Sequence, residues 1–109
     1  MHITEALTND TVVLNIEGRL DAASVPTFKT IVKAHMDSGR IRFVADLHNL
    51  TFIDSSGLGI LALLLRQAMQ LGGDIKICGL SSEMQMLFAL TRLYKVFEIH
   101  ETVESALSA

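Results

Sequence analysis

Three observations predict a mixed α/β domain for this chain. Strand-like apolar segments interleave with stretches of helical apolar spacing, Gly, Asn, Asp or Ser stands at most of the joins, and 109 residues suffice for one hydrophobic core but not for two. We therefore expect one domain over residues 1–109. Strands that alternate with helices need crossovers, so the expected fold is a mixed β-sheet of about five strands with an N-terminal hairpin, covered by about four α-helices.

Residues 3–7 and 11–17 alternate and flank Thr8-Asn9-Asp10, whose Asn and Asp favour a tight turn, which makes a hairpin. Gly18 is expected to break the second strand. Val25, Phe28, Ile31, Val32 and Met36 then recur at helical spacing, with Ser24 as a cap, Pro26 in the first turn and Gly39 as the stop. Residues 41–47 read as a strand buried on both faces except near Asp46. The turn Asp54-Ser55-Ser56-Gly57 opens a helix reaching about Leu71, stopped by Gly72-Gly73. Residues 75–78 supply a second central strand. Ser81 or Ser82 caps a helix carrying Met84, Leu87, Phe88 and Leu90, with Gln85 placed three after Ser82 as in a capping box. A last strand over 96–99 and a short helix over 102–107 complete the order β-β-α-β-α-β-α-β-α.

With 50% hydrophobic and 19% charged residues, the chain can bury enough apolar surface to offset its conformational entropy. Its nine Lys and Arg are spread thinly and the net charge is -3, so there is no basic stripe for nucleic acid. Residues 58–65 form the longest apolar stretch, far short of the roughly 20 needed to span a bilayer, so no membrane insertion is expected. The N-terminus lacks the basic start and continuous apolar core of a signal peptide, which implies a cytoplasmic protein. The single Cys78 lies in an apolar run and reads as an inert, buried thiol. No G-x-S-x-G elbow surrounds Ser55, and His2, His35, His48 and His100 are scattered, so no catalytic residues are assigned and no enzyme is expected. Neither a phosphate-cradling loop nor a metal-ligand spacing is present, so no cofactor and no metal are expected.

The chemistry of the chain concentrates in Asp54-Ser55-Ser56-Gly57-Leu58-Gly59, which joins an apolar run to a long apolar helix. The first N–H groups of a helix lack internal partners and the macrodipole is positive there, so the turn suits an anion, including a phosphate carried on serine. Asp54 or Ser56 can cap the helix and leave Ser55 free, while Gly57 and Gly59 keep the approach open. On a 3.6-residue period Leu58, Leu61, Ala62, Leu65, Ala68 and Met69 share one stripe, widened by Ile60, Leu64 and Leu71. Leu63 instead projects among Arg66, Gln67 and Gln70, so with Ile60 and Leu64 it is expected to form an apolar partner-binding patch beside Ser55.

These residues resemble the STAS domain of bacterial anti-sigma factor antagonists, in which D-S-[SA]-G-L-G follows a central strand. Gly18-Arg19-Leu20-Asp21 is similar to the family's G-[ED]-[LIV]-D turn, Val44-Ala45-Asp46-Leu47 to its V-[LV]-[DN]-L strand, and Leu71-Gly72-Gly73 to its helix end. The resemblance spans essentially the whole chain and implies the STAS fold. It implies that Ser55 is phosphorylated by a GHKL-type serine kinase that is also an anti-sigma factor, with a phosphatase to reverse the mark. It further implies that Asp21 and Asp54 lie in one contact region, and with the helix projection the expected partner-binding surface comprises Asp21, Asp54, Ser56, Gly57, Leu58, Gly59, Ile60 and Leu63. The unphosphorylated form would bind the kinase and release a sigma factor. The alternative is a scaffold subunit of a stressosome or lipid-transport complex, docking without phosphate control. Arg19 and His48-Asn49 depart from the family pattern, and Arg19 reverses the charge common at that turn.

Overall fold

The computed structural model describes residues 1–109. The elements run β1 (His2–Thr8), β2 (Thr11–Leu20), α1 (Val25–Asp37), β3 (Arg42–Asp46), β4 (Leu50–Ile53), α2 (Ser55–Gln70), β5 (Asp74–Cys78), α3 (Ser82–Leu90), a 3₁₀ turn (Leu93–Lys95), β6 (Ile99–His100) and α4 (Val103–Ser108). The sheet is mixed and six-stranded: β1 pairs antiparallel with β2, the parallel ladder continues through β3, β5 and β6, and β4 pairs only with β2.

The hairpin forms as the sequence indicates, with Asn9 at φ 54, a left-handed value that asparagine tolerates well. Gly18 does not end the second strand. β2 continues to Leu20, and the register shifts between Gly18 and Arg19 as its parallel neighbour changes from β3 to β4. The left-handed φ of +88 at Gly18 is what a glycine supplies there. The additional strand, β4, consists of four residues with no alternation of burial, so it offered no period of 2 to read. Leu93–Lys95 forms the 3₁₀ turn, Phe97 packs edge-on against Phe88 at 6.1 Å, and the last strand begins only at Ile99. Of the two expected caps of α3 the structure takes Ser81, whereas Ser24 occupies the N-cap of α1 without a capping bond and Gln85 donates to the Leu80 carbonyl instead of closing a capping box. The capping box belongs to α4, between Thr102 and Ser105.

Cross-strand register sorts the side chains. Val12, Phe43 and Ile75 line up across β2, β3 and β5, as do Leu14, Ala45 and Ile77, and these rows meet α1, α2 and α3 in the main core. On the opposite face Val44 and Cys78 pack with Ala106 of α4. The row Asn15, Asp46 and Cys78 lies on that second face, and Asp46 is itself buried at 8% exposure. The expectation that burial would lapse near Asp46 is therefore corrected. Along α2, Gly57, Leu58, Ile60, Leu61, Leu64, Leu65 and Ala68 are buried, whereas Met69 and Leu71, expected on the core stripe, are exposed. No helix is long and apolar enough to cross a membrane.

Candidate functional site: the Ser55 turn

Asp54 sits at the N-cap of α2 in an extended conformation, and its Oδ1 accepts from the Gly57 N–H at 2.9 Å. Its Oδ2 accepts from the Ala22 N–H at 3.3 Å, which ties the turn after β4 to the loop after β2. Of the two capping options the sequence leaves open, the structure takes Asp54. Ser55 and Ser56, the first residues of α2, are both exposed, and neither hydroxyl enters a hydrogen bond, to a histidine or to any other group.

Gly57 faces inward. A Cβ there would stand 2.3 Å from the Leu20 carbonyl oxygen and 2.8 Å from Ile53 Cγ1, so the glycine permits α2 to press against the end of β2. Its expected part in keeping the approach open is corrected, since only Gly59 borders open space.

Asp21 is positioned by the same loop. Its carboxylate accepts from Arg19 Nε at 3.2 Å and from the Ser24 N–H and hydroxyl, each at 3.2 Å. Burial pushes this carboxyl up, but the Arg19 and Ser24 hydrogen bonds and the Arg19 charge together outweigh it and hold it below the usual carboxylate range. Arg19 also lies over the Phe52 ring, 4.0 Å from guanidinium carbon to centroid, as its register partner in the β2–β4 ladder. Phe52 is the residue sequence reading missed. It is an exposed aromatic inside an otherwise apolar run, and only strand pairing shows that it underlies Arg19.

Asp21, Asp54, Ser55, Ser56 and Gly59 therefore gather at one solvent-facing end of the molecule. Leu58, at 8%, and Ile60, at 5%, belong to the core, as does Leu64. Leu63 is half-buried and packs on that core, so the exposed patch expected from Leu63, Ile60 and Leu64 does not form. The helical spacing was correct, but β4 and α1 cover a wider arc of α2 than a two-sided helix projection allows.

A second polar group lies on the α4 face. Asp46 accepts from Asn15 Nδ2 at 3.3 Å and from the His48 N–H at 3.1 Å, and His48 Nδ1 stands 3.4 Å from it. Cys78 is fully buried beside this carboxylate. Its thiol is pushed up from the ordinary 9.0 to about 12, first by burial, then by the Asp46 charge and the hydrogen bond to Asp46, and further by the Glu104 charge. No thiolate nucleophile is available there at neutral pH. Gly79 closes over the group, since a Cβ would stand 2.7 Å from Asp46 Oδ1 and 2.9 Å from the His48 nitrogen.

A mixed sheet with a capped helix start beside an exposed serine can be compared with known proteins. The STAS domain model matches residues 3–106, and the chain belongs to that family. Among its relatives, the candidate anti-sigma factor antagonist BtrV of Bordetella bronchiseptica is 27% identical over 94 residues, covering 86% of this chain and 81% of that protein. A candidate anti-sigma factor antagonist of Thermotoga maritima superposes with TM-score 0.92 at 21% identity, over 97% of this chain and 92% of that one. The anti-sigma factor antagonist SpoIIAA superposes with TM-score 0.77 in both forms. The unphosphorylated form is 20% identical over 97% of this chain and 94% of that one, and the phosphorylated form, from Bacillus, is 23% identical over 98% and 97%. The solved structures establish the fold.

Proposed function

We propose that this protein is an anti-sigma factor antagonist switched by phosphorylation of Ser55. The observation that carries the reading is the division of labour at the turn: Asp54 caps α2, so the exposed Ser55 hydroxyl has no structural duty and can be modified without unfolding the helix. Unphosphorylated, the protein binds an anti-sigma factor that is a GHKL-type serine kinase through the Asp54 turn, the start of α2 and the Asp21 loop, and a sigma factor is released. A phosphate adds about -1.5 to -2 charges beside Asp54 on the contact surface, where repulsion and desolvation oppose docking while the helix N-terminus accommodates the anion. A phosphatase restores binding. The protein acts in the cytoplasm by binding, without turnover of its own. Family membership and the antagonist names of its relatives support this role, and SpoIIAA has the same overall similarity to this chain in both phosphorylation states.

The test uses Ser55→Ala protein as bait in its native cell to recover the kinase, followed by incubation of that kinase and ATP with the wild-type chain. Peptide mapping should place one phosphate on Ser55 and none on Ser56. Ser55→Ala should retain binding in calorimetry, and Ser55→Asp should weaken it while both melt within about 0.5 kcal/mol of wild type. Phosphate on Ser56, or on neither serine, would overturn the assignment of Ser55, and equal affinity of both variants would instead favour a scaffold subunit that docks without phosphate control.

A further inference from the structure

We propose that Arg19, laid on Phe52 and tethered to Asp21, selects the partner by pairing with a carboxylate side chain that the partner inserts beside it. The inference rests on the proposed antagonist role and names the chemistry of the partner's contact. The Ser55 turn and the loop after β2 carry one aspartate each, but both carboxylates already have partners within the chain. Asp54 accepts from Gly57 and Ala22, and Asp21 accepts from Arg19 and Ser24. Arg19 is the reverse case. Only its Nε is engaged, so the remaining N–H donors of the guanidinium have no acceptor in the chain, and the side chain is 60% exposed.

The group is also pre-oriented. The Phe52 ring supports one face of the guanidinium at 4.0 Å, and the Asp21 bond fixes its rotation. Ordering entropy that a free arginine would lose on binding is therefore already lost here. Beside it lies an open recess of about 360 Å³ lined by Met1, Arg19, Asp21, Ala23, Ser24 and Thr27, room for one side chain of a partner. The unpaired guanidinium donors form a planar, positively charged fork, which is the geometry that fits a carboxylate.

The probe is the purified kinase recovered with the Ser55→Ala bait, titrated against wild type, Arg19→Lys, Arg19→Ala and Arg19→Glu at low and high salt. Arg19→Ala should bind about tenfold more weakly with a flatter salt dependence, and Arg19→Glu about a hundredfold more weakly. Arg19→Lys should fall between wild type and Arg19→Ala, because an ammonium cannot make two parallel bonds. All four should melt alike. If wild type binds and is phosphorylated on Ser55 while Arg19→Ala and Arg19→Glu bind within about twofold of it, the proposal is wrong and the antagonist reading stands. If the kinase neither binds wild type nor modifies Ser55, both fall. Nuclear magnetic resonance on the free protein gives a partner-independent check. The Arg19 Nε–H signal should be sharp at neutral pH and broaden in Phe52→Leu, whereas a freely averaging signal in wild type overturns the pre-oriented geometry.

Discussion

Asp46 and Asp54 both stand at the carboxyl ends of parallel strands, yet one belongs to the interior and the other to the solvent-facing turn proposed as the contact surface. Asp46 is nearly closed to solvent, and around it Asn15, the His48 backbone and the Cys78 thiol satisfy one another under Gly79. Asp54 also has its oxygens engaged, but by backbone N–H groups of its own turn and of the Asp21 loop, and its neighbours are left over: two serine hydroxyls without partners and a guanidinium with free donors. A buried polar group that is fully paired holds a fold in one arrangement. Exposed groups that a neighbour relieves of structural duty are the ones a partner or a kinase can use. Polarity at a strand end does not by itself leave a group free to bind; that requires polarity that is both unsatisfied and accessible.

Three substitutions would break or sharpen this contrast. The largest effect is expected from Gly57→Ala. The new methyl meets backbone at Leu20 that cannot retreat, which should cost about 3 kcal/mol, at the upper end for overpacking, and lower the melting temperature strongly. A variant that melts normally would show that α2 can lift from β2 and that the turn is not rigidly seated. Next, Asp46→Ala strands the Asn15 amide and the His48 N–H in or near the interior and should cost about 2 kcal/mol in urea unfolding, with binding to the partner kinase intact. Lost binding at unchanged stability would merge the two aspartates into one site. The smallest effect belongs to Leu63→Ala. A half-buried leucine should lose about 1 kcal/mol in denaturant titration, below the ~2–5 kcal/mol of a fully buried one. If stability is unchanged and calorimetry shows weakened binding, Leu63 lies on the docking surface after all.

Much of this could be read along the chain because the deciding contacts are short in sequence. The Asn9-Asp10 hairpin turn, the Gly39 and Gly72 helix ends and the Asp54-to-Gly57 cap each span a few residues, so composition and spacing carry them. The helical period of α2 was legible for the same reason. What escaped was made by partners about 30 residues apart. β4 exists because the end of β2 changes neighbour past Gly18; Arg19 is supported by Phe52, and Ala22 by Asp54, only through that pairing. Asp46 is buried because Asn15 and Cys78 flank it in register, and Leu63 packs on the core rather than forming an exposed patch because the core surrounds more of α2 than one stripe. The sequence by itself determined that an exposed serine would begin a long apolar helix at the end of a strand, since that follows from local backbone preference and capping chemistry. Which polar groups beside it are free to act was decided only by the tertiary structure, because whether a donor or acceptor is satisfied depends on residues that folding brings from elsewhere in the chain.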